Sequence, residues 1–590
     1  MDVRKVHGIT IKDDLAWMEK MDSSKWKKFI KDEQETYSSF IDPLRNYVEG
    51  VKRVLESSGR ISSQLRFSKG NISYGHSGTL NYKWKFNNIE TIYTSAAIFP
   101  EGDFVWSIED VGSGKENYKI SCYSEKGVKW SHEGVGPFLT VVGDRCYSIL
   151  AKNTLIYYKI VSWDKHSGRD FRVHYEEKDK KYNLSIQGET FVVRQSGTFQ
   201  DLFEITSSSL KVLEGIVTEP RRFVCSSTPG LYLMWSSKKG WQPSKKTFLF
   251  PSWLNATPET LEGNLLVTKW YGTRTLYRLS KKSPEIIWQG IGEIMIRGSD
   301  VRIRKPGCRS IWWNNTSRHN PFDTFPKKHQ LSIRKAKSKD GTIVPFVLLM
   351  PHNPKGLLII GYSAYGMSTG LSTSRWNPFL YAGYALAIGM FRGGGDHTPE
   401  WEDAGRLEGR ENTLEDSIAV VRESRHICDI PANKTILYGR SAGGLWVGGC
   451  IARHPTGNLA GCAYMEVPYL DVLRTTTNPE LPLTDLETDE FGNPNVRISD
   501  FKSVLAWSPM ELLVSGTPGV NQLVRTGLND SEVFAYESAK WVVRSRRLPG
   551  STILLAVEGE QGHFISGKKG LEQQAEDIVL LMEFIKNAEK

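Results

Sequence analysis

Cysteine is scarce in this chain: there are seven in 590 residues, at positions 122, 146, 225, 308, 428, 450 and 462. So few and so scattered, they supply neither a disulfide framework nor the paired spacing of a zinc site. A reduced, cytoplasmic setting is expected, with no metal. Long apolar runs are missing too. No window approaches the roughly 18 uninterrupted apolar residues that a bilayer span needs, so no membrane partner is expected. The opening MDVRKVHGITIKDD has no apolar core of a secretory signal. Acidic residues are outnumbered, 66 against 76 basic, for a net charge of +10. That excess is spread through KWKKFIKDE, KDKKYN, SKKGWQPSKK and FPKKHQ with no groove-reading motif beside it. It reads as a solvated surface, and no nucleic-acid partner is expected.

What is present changes character twice along the chain. One hydrophobic core is too few for this length, so two or three domains are expected. Residues 1–64 read as a helical extension, with Leu15, Trp17, Met18, Met21, Trp26, Phe29 and Ile30 at roughly helical spacing. The stretch DSSK offers a helix cap at Asp22 or Ser23. Over 65–328, short aromatic and β-branched runs between Gly, Ser, Asn and Lys clusters signal many strands. An aromatic–x–apolar echo recurs at Tyr118, Tyr158, Phe203, Phe248 and Tyr277, in steps of 40, 45, 45 and 29 residues. The first three steps match a propeller blade. A β-propeller-like all-β domain of six or seven short blades is expected, with a pair of β-sandwiches as the alternative.

From 329 to 590 strands and helices alternate. KSKDGT turns between two strand-like runs; GLLIIGYSAYG, YAGYALAIGMF, KTILYG, NQLVRTGLND and STILLAVEGE read as further strands. NTLEDSIAVVRESRHI and the terminal GLEQQAEDIVLLMEFIKNAEK read as helices. Such alternation predicts a doubly wound, mostly parallel sheet, the α/β-hydrolase class.

The chemistry gathers where such a sheet puts it, beyond the carboxyl ends of the strands. Gly439-Arg440-Ser441-Ala442-Gly443 follows the strand KTILY and precedes a helix. A sharp turn there exposes the serine oxygen and aims the next backbone N–H at a developing oxyanion. Alone, the same glycines make an ordinary strand-to-helix turn. A serine nucleophile needs a base, and the base an orienting acid, in the chain order Ser, Asp or Glu, His. Asp530 follows NQLVRTGLN and His563 follows STILLAVEGEQG; His426 and His454 lie too early, and no other histidine comes later. The plainer roles are a turn cap for Asp530 and a loop position for His563. Tyr365 ends the strand GLLIIGYSA, where a phenol reaches an oxyanion or packs in the core. Arg392 with Gly393, Gly394 and Gly395 forms a tight turn, either an anion cradle or an architectural element.

The pieces GYSAYGMS, FRGGGDHTPEW, ENTLEDSIAV, GRSAGG, LPLTDLETDEFGNPN, WSPMEL, RTGLNDSEVFAYESAKWV and GHFISGKKG resemble the peptidase domain of the prolyl oligopeptidase family, most closely oligopeptidase B. The opening HGITIKDDLAWMEKMDSSKWKKFIKDEQETY resembles that family's N-terminal extension. The resemblance implies a triad of Ser441, Asp530 and His563, with the Tyr365 hydroxyl and the Ala442 N–H as oxyanion hole. It also implies no cofactor, and a propeller lid that admits short peptides. Prolyl-specific members carry a tryptophan and an arginine where DLETDEFG has no Trp and where Glu532 stands. Two acidic residues of oligopeptidase B carry over to Glu487 and Asp489, implying cleavage after Arg or Lys, since paired carboxylates favour a guanidinium. Asp489 is a methylene shorter than the usual glutamate, and Arg440 stands where glycine is usual. The expected protein is a monomeric or homodimeric serine oligopeptidase acting on basic peptides. A prolyl- or broad-specificity peptidase, an esterase, or a catalytically idle binding protein are the alternatives.

Overall fold

The computed structural model describes residues 2–587 apart from short stretches, the longest being 60–66, 111–117, 249–255 and 320–328. Both expected domain boundaries, near 64 and 328, fall in those stretches, as does the second half of the echo at Phe248. Cys308 also lies outside the described residues.

One sheet organises the C-terminal part. Its strands are β1 (His329–Lys337), β2 (Ile343–Pro351), β3 (Leu357–Gly361), β4 (Ala385–Gly389), β5 (Thr435–Arg440), β6 (Cys462–Glu466), β7 (Asn521–Gly527) and β8 (Ile553–Glu558). They lie in the order β1-β2-β4-β3-β5-β6-β7-β8. The β1–β2 and β2–β4 pairs are antiparallel and every other pair is parallel. Parallel strands buried on both faces need apolar side chains on both. In β8, Ile553, Leu555 and Val557 face one layer, while Leu554 and Ala556 face the other. Strand β6 had no counterpart in the sequence reading, because its five residues CAYME are short and show no apolar–polar alternation.

Helices cover both faces. We label them α1 (Ser24–Ile41), α2 (Arg45–Gly59), α3 (Arg410–Cys428), α4 (Gly444–Arg453), α5 (Ala535–Ser545) and α6 (Gly567–Asn587). Residues of α1, α3, α4 and α5 form one apolar layer; those of α2 and α6 form the other. Ser23 caps α1, its hydroxyl accepting from Trp26 N at 3.2 Å. The all-helical reading of residues 1–64 is corrected at its start. Asp2–Val6 and Ile9–Asp13 pair as an antiparallel hairpin through His7 and Gly8, both at positive φ. Alternation in VRKV and ITIK outweighs the helical spacing further on, and the turn has the backbone of a two-residue hairpin loop.

Between these parts lie six antiparallel sheets among the described residues. They span Phe67–Thr94, Ala97–Glu176, Asn183–Glu214, Arg221–Pro243, Thr257–Ile291 and Glu293–His319, each a meander in chain order. Five have three or four strands. The other has seven, because the 16-residue strand Gly127–Val142 pairs on both sides and shifts register repeatedly. Two of the five echo positions mark equivalent places: Phe203 and Tyr277 lie in Phe199–Ile205 and Thr273–Arg278, the third strands of their four-stranded sheets. Successive sheets pack face on face, Ile149 and Ile160 against Val192 and Phe203, then Val193 and Leu202 against Phe223. The sheets are open, and no ladder joins the last to the first among the described residues.

These sheets rest on the carboxyl edge of the eight-stranded sheet. The Trp270–Gly272 turn reaches the eight-stranded sheet so closely that a Cβ on Gly272 would sit 2.5 Å from Met390 Cε. Tyr271 stacks on His397, ring centroids 3.9 Å apart. Arg222 pairs with Glu402 at 2.7 Å.

Candidate active site

Ser441 leaves β5 with φ at +53°, a left-handed backbone that a non-glycine residue adopts at a cost. The turn closes because its neighbours are small: a Cβ on Gly439 would lie 2.1 Å from the Gly443 carbonyl oxygen. Ser441–Gly443 make one tight helical turn that runs into α4, and Tyr469 N donates to Ser441 O at 3.0 Å.

Two loops bring Asp530 and His563 together. The loop after β7 and the loop after β8 are zipped by Leu528 N to Glu558 O and Asn529 N to Gln561 O, both 2.9 Å. Only glycine fits at 527, where a Cβ would meet Gln561 O at 2.3 Å. His563, 3% exposed, then lies with Nδ1 2.8 Å from Asp530 Oδ2. Asp530 Oδ1 accepts from the N–H groups of Glu532 and Val533, both at 2.9 Å, so the residue orders its own turn as well. Burial opposes protonation of His563, but the Asp530 hydrogen bond and the charges of Asp530 and Glu532 outweigh it, and the imidazole is lifted above its ordinary value. The Ser441 hydroxyl makes no hydrogen bond to His563 in this structure. His563 Nε2 instead lies 3.5 Å from Glu532 Oε2.

Tyr365 stands beyond β3 at φ +57°, held by its N–H donating to Glu490 Oε1 at 3.0 Å. Its hydroxyl donates to Glu487 Oε1 at 3.0 Å rather than standing free for an oxyanion. Tyr469 donates to the other oxygen, Oε2, at 3.1 Å. Burial lifts the Glu487 carboxyl to about 7, against two phenol hydrogen bonds that favour its charged form. Asp489, half-buried, accepts at Oδ2 from Ser196 Oγ of the antiparallel sheets at 2.8 Å. Ala442 is buried one residue past Ser441.

Two arginines resolve differently. Arg392 is a strut: its guanidinium grips Asp416 and reaches Asp340, both at 2.6 Å. Arg440 donates to the His563 carbonyl oxygen and lies 4.7 Å over the Phe564 ring. Glu490, overlooked in the sequence, is the hub that Arg406 and Arg410 clamp. Its signal was the arginine pair four residues apart in GRLEGRE, opposite an acidic run.

Residues 371–589 match the profile described as "Prolyl oligopeptidase family". That segment belongs to the prolyl oligopeptidase family. Among curated relatives, Protease 2 of Moraxella lacunata is 29% identical over 266 residues, 42% of this chain and 37% of that protein. A prolyl endopeptidase-like protein of Xenopus laevis is 36% identical over 178 residues, 29% of this chain and 25% of its own. The chain thus aligns with between a quarter and little more than a third of these relatives' length. Among solved structures, oligopeptidase B from Leishmania major superposes with TM-score 0.82 at 18% identity, over 98% of this chain and 95% of that one. The Trypanosoma brucei oligopeptidase B with covalently bound antipain, in closed form, gives 0.81 at 18%, over 98% and 95%. The overall fold is therefore shared end to end, well beyond the family segment.

Proposed function

We propose that the chain is a serine peptidase of the oligopeptidase B kind, hydrolysing short peptides after Arg or Lys. The observation that carries this reading is the pairing of His563 with Asp530 at 2.8 Å on the same sheet edge as a left-handed Ser441. In turnover, Nε2 of a neutral His563 takes the Ser441 proton as Oγ attacks the scissile carbonyl. Asp530 holds Nδ1–H and steadies the imidazolium. The Ala442 N–H and the Tyr365 hydroxyl stabilise the tetrahedral oxyanion. The imidazolium then protonates the leaving amine, and water repeats the cycle on the acyl-enzyme.

Glu487 and Asp489 are proposed to receive the basic side chain. On this reading residues 1–64 brace the peptidase domain of 329–590, and the sheets of 65–328 are blades of a propeller lid; their face-on-face stacking supports that. A broader specificity is the second reading, favoured by Glu487, whose oxygens already accept two phenol hydroxyls. Fluorophosphonate labelling, followed by peptides bearing Arg, Lys, Pro or Phe before the cleaved bond, tests both. Labelling lost in Ser441→Ala and cleavage confined to Arg and Lys are expected; equal cleavage of all four sinks the basic preference.

A further inference from the structure

His563 has a carboxylate on each side. Asp530 Oδ2 sits 2.8 Å from Nδ1 and Glu532 Oε2 sits 3.5 Å from Nε2. The second contact involves the nitrogen that must accept the serine proton. A neutral imidazole with its proton on Nδ1 turns a lone pair toward Glu532, which repels it; an imidazolium turns an N–H toward it, which the carboxylate attracts. Ser441, meanwhile, offers Nε2 no hydrogen bond in this state. We propose that Glu532 is a positioning residue that holds the resting base as imidazolium, so that the site stays silent until pH rises or substrate displaces the carboxylate.

The surroundings decide how strongly. From the loop after β7, Asp530 and Glu532 both favour the cation. From the end of β5, Arg440 opposes it, and its guanidinium is tethered to the His563 carbonyl oxygen. Phe564, on the loop after β8, adds only a ring edge, centroids 5.1 Å apart. The Glu532 side chain is 24% exposed, so it is reachable by an incoming peptide, and a cationic group on that peptide is what would draw it off. The single bond that changes in this device is Nε2–H, whose proton is retained or passed to solvent water.

The test is Glu532→Gln, which keeps shape and the backbone N–H that orders Asp530 but removes the charge. The inference rests on His563 being the base of the proposed peptidase, so two readouts are used. The first is the pH dependence of the fluorophosphonate labelling rate. The second is the His563 titration in 15N-histidine spectra, its signal identified by loss in His563→Ala. In Glu532→Gln both midpoints should fall by about one unit, a roughly tenfold gain in labelling rate on the acid limb. Glu532→Asp should stay near the parent. An unchanged imidazole midpoint overturns the inference, whatever the labelling does. A shifted midpoint with no labelling at any pH upholds it and removes the peptidase reading instead.

Discussion

The hydroxyl of Tyr365 donates to Glu487 Oε1 at 3.0 Å. The group proposed to stabilise the oxyanion and the acid proposed to receive the basic side chain therefore share one hydrogen bond. Substrate binding and oxyanion formation compete with it from opposite ends.

The first consequence concerns pH. Burial lifts the Glu487 carboxyl to about 7, so its negative charge develops only as pH rises through that value. Preference for Arg over the uncharged isostere norleucine should grow between pH 6 and 8. The ratio of kcat/KM for the two peptides measures it; a ratio flat with pH removes Glu487 from recognition.

Tyr365→Phe removes the donor of that bond and leaves its acceptor, Glu487, in place. Loss of one oxyanion donor is expected to lower kcat by about 10²- to 10³-fold with little change in KM. The Arg preference should also develop at higher pH, because Glu487 keeps only the Tyr469 hydroxyl. Steady-state kinetics on a single Arg peptide across pH reads both effects.

Ser441 stores backbone strain at φ +53°. Ser441→Ala and Ser441→Gly should both lose all turnover, yet differ in stability. Glycine relieves the left-handed strain and is expected to exceed alanine by about 1 kcal/mol in denaturant midpoints. Equal midpoints would mean that the surrounding structure relaxes the turn.

Lys540 is fully buried and salt-bridged to Asp13 at 2.7 Å, Glu19 at 2.7 Å and Asp471 at 2.9 Å. Lys540→Met leaves those carboxylates without their shared cation, and a loss of about 3–5 kcal/mol is expected. Burial opposes ionisation of Glu19, but Arg474 and Lys540 overcome it and bring it down to about 2, and Asp13 is lowered as well. Depressed carboxylates stabilise the fold above their ordinary value near 4.5 and lose that contribution as pH falls toward 2. Urea unfolding at pH 7 and pH 3 should show the parent weakening in acid more than the variant.

How far the residues themselves disclosed this depends on range. The elbow was legible because Gly439, Ser441 and Gly443 are neighbours whose spacing states the turn. That Asp530 and His563 would meet was legible through order, since each follows a recognisable strand. Contacts such as Tyr365 N to Glu490, 125 residues apart, have no local signature. Neither has the seat of Asp489 on Ser196, 293 residues apart, which depends on how the antiparallel sheets meet the part built on the eight-stranded sheet. The six sheets were foreshadowed only in outline, because the shared strand Gly127–Val142 fuses what periodicity treats as separate units. The opening hairpin was missed because helical spacing in the following residues was extended backward over it.

The bracing of the eight-stranded sheet by the first 59 residues also has a history in time. Asp13 meets Lys540 across 527 positions, and Glu19 meets Arg474 across 455. A ribosome adding about 5–20 residues per second leaves the early segment waiting on the order of a minute. Throughout that interval Trp26 and Ile30 lack the layer that later buries them, so their apolar faces stay open to solvent until α3, α4 and α5 have been made.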